Sequence, residues 1–316
     1  MVNSKPIAMY SGPEHCLQVV QEELSTSFDV VRVEPYEDQF HAQFTKSDVL
    51  IDASMKVTIN SEQIEKASNL RLIVTATTGA THIDAKALSE RGIPLLTLKG
   101  ETKFLRNITP AAEHTWALLM ACARQLPSAI SHVETGLWNR TEFPGLMLKD
   151  RTIGIIGFGR IGRWVAKYAE AFGMTIQFHD PYTTDAPDYA EETELPKLLQ
   201  SSDIVTTHMH VTDETRGLLS RELLSEIKHG AILVNTARGE LADENAILQL
   251  LKSGQIAAVG IDVLQDEPEI TKSELWKYSL DHKNVIITPH IGGYCPDAVA
   301  KVVRFSCQRV KKELLN

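Results

Sequence analysis

The hexapeptide Gly157-Phe158-Gly159-Arg160-Ile161-Gly162 sits about halfway along a chain of 316 residues, and no other feature limits the fold as sharply. It follows an apolar run, Thr152-Ile153-Gly154-Ile155-Ile156. It opens into Arg163-Trp164-Val165-Ala166-Lys167-Tyr168-Ala169, whose apolar residues recur at helical spacing. A buried parallel strand, a glycine turn and a helix, in that order, make a dinucleotide site. The glycines allow a tight turn and a close approach of backbone to a pyrophosphate, whose charge rests on the amides of the helix N-terminus. Gly157, Gly159 and Gly162, with Arg160 and Ile161 opening the helix, are therefore candidate cofactor contacts. A one-domain protein of this kind carries such a fingerprint near its start. Here a strand-and-helix segment precedes it, which predicts a second domain.

That first segment alternates short strands (residues 7–10, 30–33, 49–51, 72–76 and 93–96) with helices over 14–24 and 84–91, the latter opening at an acidic cap. A helix over 111–124 leads toward the fingerprint. Beyond it, strands are expected over 175–178, 204–207, 231–234, 258–261 and 285–287, and the tail from 296 to 315 reads as one long amphipathic helix. The simplest architecture is α/β throughout. A Rossmann-type doubly wound domain over 109–289 is inserted into a smaller flavodoxin-like α/β domain made of 1–108 and 290–316. Two chain crossings, near 108 and 290, would act as a hinge and leave a cleft beside the cofactor.

Asp180 lies eighteen residues past Gly162 and closes the next strand. A carboxylate there accepts hydrogen bonds from the adenosine ribose and repels a 2′-phosphate, and no arginine follows in Pro181-Tyr182-Thr183-Thr184. NAD is therefore favoured over NADP. The formal charge of −9 argues against nucleic acid or an anionic membrane as the main partner. Cys16, Cys122, Cys295 and Cys307 are scattered without metal or redox spacing, which suggests free thiols in a reducing compartment. Met1-Val2-Asn3-Ser4-Lys5-Pro6 has no leader-type apolar stretch, and no run reaches membrane-spanning length, so the cytoplasm is the default.

Three stretches of the second half carry chemistry: Val234-Asn235-Thr236-Ala237-Arg238-Gly239, then Gly260-Ile261-Asp262-Val263 leading to Asp266-Glu267-Pro268, then Thr288-Pro289-His290-Ile291-Gly292-Gly293. With the fingerprint, with Thr78-Gly79-Ala80-Thr81-His82-Ile83-Asp84 and with Ala112-Glu113-His114-Thr115, they resemble the D-isomer-specific 2-hydroxyacid dehydrogenase family across most of the chain. The resemblance implies that Arg238 grips the carboxylate and keto oxygen of a 2-keto acid through its fork of donors. It implies that His290 exchanges a proton with that oxygen, and that Glu267 orients the imidazole and favours its charged form. Thr236, Ala237 and Asp262 are implied near the nicotinamide, with Gly292 and Gly293 also among the cofactor contacts. Thr78, Gly79 and Ala80 form the implied substrate loop, with the amides of Gly79 and Ala80 facing the carboxylate. His208 borders the adenine in the same pattern. A homodimer is implied through the region of Trp138, for which core packing is an equal reading.

Two departures stand out. His210 replaces the proline usual in the family, and His208 alternates with it on a strand; no third ligand is evident, so no metal is assigned. The connection over residues 98–107 is longer than usual and carries Lys99, Lys103 and Arg106 against Glu101 alone. Lys99 and Arg106 are candidates to read a second anionic group on the substrate, against the alternative of solvated surface charge. Two other functions occur on this fold. A formate dehydrogenase-like relative would carry glutamine where Glu267 stands, so Glu267 speaks against it, whereas an NAD(H)-sensing, corepressor-like binding protein can keep the same residues and stays open.

Overall fold

The computed structural model describes residues 5–315; residues 1–4, part of the stretch read as lacking a leader, lie outside the described residues. The described residues divide into two compact units, one of 5–108 with 294–315 and one of 109–293. The return to the first unit thus falls at 294 rather than 290. The physical reason is local: the backbone amides of His290, Ile291 and Gly292 all donate to Asp262, which ties them to the second unit.

The first unit runs β1 (Ile7–Ser11), α1 (Leu17–Leu24), β2 (Asp29–Arg32), α2 (Glu37–Phe44), β3 (Val49–Asp52), α3 (Ser61–Lys66), β4 (Leu72–Thr75), α4 (Ala85–Glu90), β5 (Leu95–Leu96) and α5 (Thr102–Leu105). Its five strands are parallel in the order β2-β1-β3-β4-β5, the flavodoxin-like arrangement. β3 and β4 are buried along their whole length, as central parallel strands covered on both faces must be. Asp84 caps α4 as expected, its Oδ1 accepting from Ala87 N at 3.0 Å. The helix expected over 14–24 instead starts with a 3₁₀ turn, Glu14–Cys16, directly after Pro13.

The second unit runs α6 (Pro110–Ala123), α7 (Leu126–Glu134), β6 (Thr152–Ile156), α8 (Arg160–Ala171), β7 (Thr175–His179), β8 (Ala190–Glu192), α9 (Leu195–Ser201), β9 (Ile204–Thr207), α10 (Arg221–Leu224), β10 (Ala231–Asn235), α11 (Glu244–Lys252), β11 (Ile256–Ile261), α12 (Glu274–Asp281) and β12 (Val285–Ile287). All seven strands are parallel in the order β12-β11-β10-β9-β6-β7-β8. Numbered from β6, this is the doubly wound Rossmann order, and it reverses direction between β9 and β6. Ligands bind such sheets outside the carboxyl ends of the strands at that reversal. The last helix, α13 (Pro296–Leu314), belongs to the first unit, where Val303, Cys307 and Val310 join the core of Ala8, Tyr10, Val20 and Val49.

The four cysteines are free; Cys16, Cys122 and Cys307 are buried, whereas Cys295 is half-buried just before α13. Among the described residues, no helix is long and apolar enough to cross a membrane.

Candidate active site

The glycine turn meets the requirements of a dinucleotide cradle. Gly157 has φ +91°, and a Cβ there would lie 2.8 Å from the backbone of His208, so only glycine fits. A Cβ on Gly162 would lie 2.2 Å from the carbonyl oxygen of Gly157, which lets α8 start directly against the turn. Gly159, the residue before α8, has open space where its Cβ would be. Free space and a helix of proper length opening directly at the turn form the cradle that a pyrophosphate needs. Arg160 and Ile161 open α8 and are half-buried.

Asp180, just past β7, is tied to this turn. Its Oδ2 accepts from Phe158 N at 2.7 Å and its Oδ1 from Tyr182 N at 3.0 Å. His208 follows β9. Its Nε2 is 3.0 Å from Thr206 Oγ1 and its Nδ1 is buried without a partner, although part of the residue reaches the surface. Burial drives its pKa down to about 3, so the ring is neutral. His210 is exposed, and the described residues contain no group of His, Cys, Asp and Glu arranged to hold a metal.

The three candidate catalytic residues follow β10, β11 and β12. Arg238 is exposed after β10 and donates from Nη1 to Ala237 O at 2.6 Å. Its turn is held by Asn235, which stands in the Val234–Gly239 stretch without an expected role. The Asn235 side chain accepts from Thr207 Oγ1 (2.8 Å) and Ala237 N (3.0 Å) and donates to Arg238 O (2.9 Å). The signal was present, since a buried amide ending four apolar strand residues must find partners. Thr236 Oγ1 lies 2.6 Å from Thr115 Oγ1 of α6. Gly239 packs so closely that a Cβ would fall 2.2 Å from Leu264 C.

Asp262 is 1% exposed. Its Oδ1 accepts from Thr288 Oγ1 (2.6 Å) and Ile291 N (2.9 Å), its Oδ2 from Gly292 N (2.7 Å). His114 Nε2 of α6 completes the cluster, 2.9 Å from Thr288 Oγ1 and 3.3 Å from Asp262 Oδ1. Asp262 therefore holds the backbone on both sides of His290, a task beyond the cofactor contact implied for it. Gly293, next along, is exposed with open space at its Cβ position.

His290 has φ +54°, a left-handed conformation that costs a non-glycine residue roughly 1 kcal/mol or more. Its amide donates to Asp262 O at 2.9 Å and Thr288 O at 3.0 Å, which fixes that strained geometry. The ring then meets Glu267, with Nδ1 2.6 Å from Oε1, while Glu267 Oε2 accepts from Leu264 N at 3.3 Å. Burial alone would push the Glu267 carboxyl up. The His290 hydrogen bond and charge, the Leu264 amide and Arg238 outweigh it and hold the carboxyl below the usual glutamate value. The hydrogen bond to Glu267 raises the His290 pKa, which burial and Arg238 only partly oppose. Arg238, Glu267 and His290 thus form one electrostatic unit.

In the first unit, the turn after β4 carries Thr78, Gly79 and Ala80, and Thr77 Oγ1 donates to Gly79 O at 2.7 Å. The following His82 is joined to Asp52 at the end of β3, Nε2 to Oδ2 at 2.6 Å. The basic connection is not the plain loop its composition suggested. Leu98 N donates to Thr77 O at 2.8 Å, Glu101 lies 3.5 Å from Arg309, and Phe104 of α5 stacks on Phe305 of α13 at 4.0 Å. Lys99 is thereby anchored beside the Thr78–Ala80 turn and exposed, as is Arg106.

A Rossmann sheet, a glycine cradle and a histidine–carboxylate pair beside an arginine define a dinucleotide-dependent oxidoreductase. Residues 116–292 match the family described as D-isomer specific 2-hydroxyacid dehydrogenase, NAD binding domain. The chain is 35% identical over 266 residues to a hydroxypyruvate reductase of Thermotoga maritima, covering 84% of each protein. It is 37% identical over 249 residues to a D-3-phosphoglycerate dehydrogenase of Archaeoglobus fulgidus, covering 77% of this chain and 45% of that protein. Among solved structures it resembles a D-lactate dehydrogenase from Aquifex aeolicus complexed with NAD and lactic acid, with a TM-score of 0.79 and 27% identity over 98% of this chain and 95% of that one. The chain spans about half the length of the phosphoglycerate dehydrogenases it matches. It belongs to the D-isomer-specific 2-hydroxyacid dehydrogenase family, and its cofactor is NAD.

Proposed function

We propose that this protein interconverts a 2-keto acid and a D-2-hydroxy acid. The observation that carries the reading is the His290–Glu267 contact of 2.6 Å beside Arg238. NADH, when bound, supplies a hydride to C2 of the keto acid, and NAD⁺ receives it in the reverse direction. His290 holds its Nδ1 proton against Glu267, which leaves Nε2 to deliver a proton to the keto oxygen and to take it back during oxidation. Arg238 binds the carboxylate and keto oxygen. The amides of Gly79 and Ala80 receive the carboxylate, and Thr78 belongs to the same turn.

The substrate carries a second anionic group, read by Lys99 and Arg106. The anchoring of Lys99 next to the Thr78–Ala80 turn supports this, as do relatives named for phosphoglycerate, whose phosphate is such a group. The protein works as a homodimer in the cytoplasm. Leu126, Ile130, Val133, Leu137 and Trp138 (89% exposed) form an apolar series suited to a partner subunit. NADH oxidation across neutral, dicarboxylic, phosphorylated and sugar-derived 2-keto acids tests the assignment. Turnover of none of them overturns it, and a preference for neutral acids removes the second anion.

A further inference from the structure

In the seven-stranded sheet, β6 lies between β9 and β7. The glycine turn after β6 is therefore flanked by the turns that follow those two strands. Tyr182 stands on the turn after β7, Glu214 on the segment after β9, and the Tyr182 hydroxyl donates to Glu214 Oε2 at 2.7 Å. This hydrogen bond joins the two segments that lie on either side of the glycine turn. Both ends are built firmly. Tyr182 N donates to Asp180 Oδ1, and Asp180 Oδ2 is held by Phe158 N. On the other side, Thr215 Oγ1 donates to His210 O at 2.6 Å and receives Thr212 N at 2.8 Å, closing the turn that bears Glu214. Tyr182 is 77% exposed, so packing does not dictate where its ring points. The carboxylate does.

We propose that Tyr182 and Glu214 form a strap across the adenosine half of the NAD site, and that Glu214 is a second carboxylate selecting against a 2′-phosphate. The ribose end is marked by Asp180, and Glu214 stands one tyrosine side chain away from it. A dinucleotide leaving this end must break the strap. A 2′-phosphate, with up to about two negative charges, must face both carboxylates. The two roles separate by substitution, because Glu214→Gln keeps an acceptor for the tyrosine but removes the charge, whereas Tyr182→Phe keeps the charge but removes the bond.

Both residues are exposed, so neither change threatens the fold. The test is equilibrium and stopped-flow fluorescence of NADH and NADPH with the purified protein and no keto acid, which makes it independent of the substrate proposed above. Glu214→Gln is expected to raise NADPH affinity relative to NADH roughly five-fold. Tyr182→Phe is expected to speed dissociation of both dinucleotides by a similar factor, about five-fold, with their ratio unchanged. A wild-type protein that binds NADPH as tightly as NADH overturns the proposal. So does an unchanged ratio in Glu214→Gln or unchanged dissociation rates in Tyr182→Phe.

Discussion

Asp262 and Glu267 are two carboxylates five residues apart, and their surroundings are opposite. Asp262 is 1% exposed, and its oxygens are taken by a hydroxyl and two backbone amides, with His114 beside them. The Glu267 side chain is 33% exposed and faces an imidazole whose own side chain is 45% exposed. A buried carboxylate bound by a hydroxyl and backbone amides fixes the chain geometry around it. A half-exposed carboxylate with one titrating partner can share a proton at little structural cost. The first holds the backbone around His290 and the second meets its ring, which in the proposed reaction makes the first scaffold and the second machinery.

The comparison breaks most visibly at His290 itself. His290→Ala removes the proposed proton donor but leaves the glycine turn and Asp180 intact. Steady-state turnover of a 2-keto acid is expected to fall about a thousand-fold. NADH affinity, measured by fluorescence titration, should stay within a few-fold of wild type. Turnover that persists within a few-fold would show that the Glu267–His290 pair is not the proton relay.

Asp262→Asn tests the scaffold half. The replacement puts an amide donor where the carboxylate accepts from Thr288, Ile291 or Gly292, leaving a buried N–H without a partner at a cost of roughly 1–3 kcal/mol. The melting temperature should drop by several degrees. Turnover should fall with it, because the segment around His290 then loses side-chain anchors at Thr288, Ile291 or Gly292 and keeps only the backbone bonds of its own amide. A variant with normal stability would mean that Asp262 does not carry the backbone.

Glu267→Gln gives a subtler change, seen in the pH profile. Glu267 raises the His290 pKa, so reduction, which needs protonated His290, fails as pH rises through that raised value. In the glutamine variant the same loss should begin at lower pH. The stability effect has a defined window. Glu267 contributes above the ordinary glutamate pKa and loses its contribution as pH falls through its depressed value; His290 contributes below the ordinary histidine pKa and loses it as pH rises through its raised value. Thermal scans of wild type against variant should therefore differ most in the mildly acidic range between them.

The machinery was far more legible in the sequence than the scaffold. Arg238, Glu267, His290 and the glycine turn stand in short motifs with unusual composition, and the parallel strands announce themselves as apolar runs. Asn235 and the His114–Thr288–Asp262 cluster were not legible as such. Their roles depend on side chains that are distant along the chain but close in the sheet, as His114 and Thr288 are. α5 was missed because a one-turn helix of Thr102–Leu105 has no periodicity to read; its docking depends on Phe305, two hundred residues away. Where the chain leaves the second unit is illegible for the same kind of reason, since hydrogen bonds to Asp262 hold residues 290–292 there.

The same contrast recurs in the first unit, where it gives the smallest expected effect. Asp52 and His82 form a closed pair, with side chains 2% and 9% exposed, that ties the turn after β3 to the segment following Ala80. Asp52 Oδ1 also accepts from Ser54 N at 2.9 Å, so the pair is scaffold in the manner of Asp262. Lys99 is the opposite: exposed, and held only through its backbone, Lys99 N donating to Thr97 Oγ1 at 3.1 Å. An exposed cation contributes at most about 1 kcal/mol to an ion pair. Lys99→Ala is thus expected to raise KM for a phosphorylated or dicarboxylic keto acid up to roughly five-fold, with kcat and the melting temperature unchanged. KM for a neutral keto acid should not move. An equal rise for both substrates would assign Lys99 to the general shape of the turn, on the scaffold side of the comparison, rather than to a second anion.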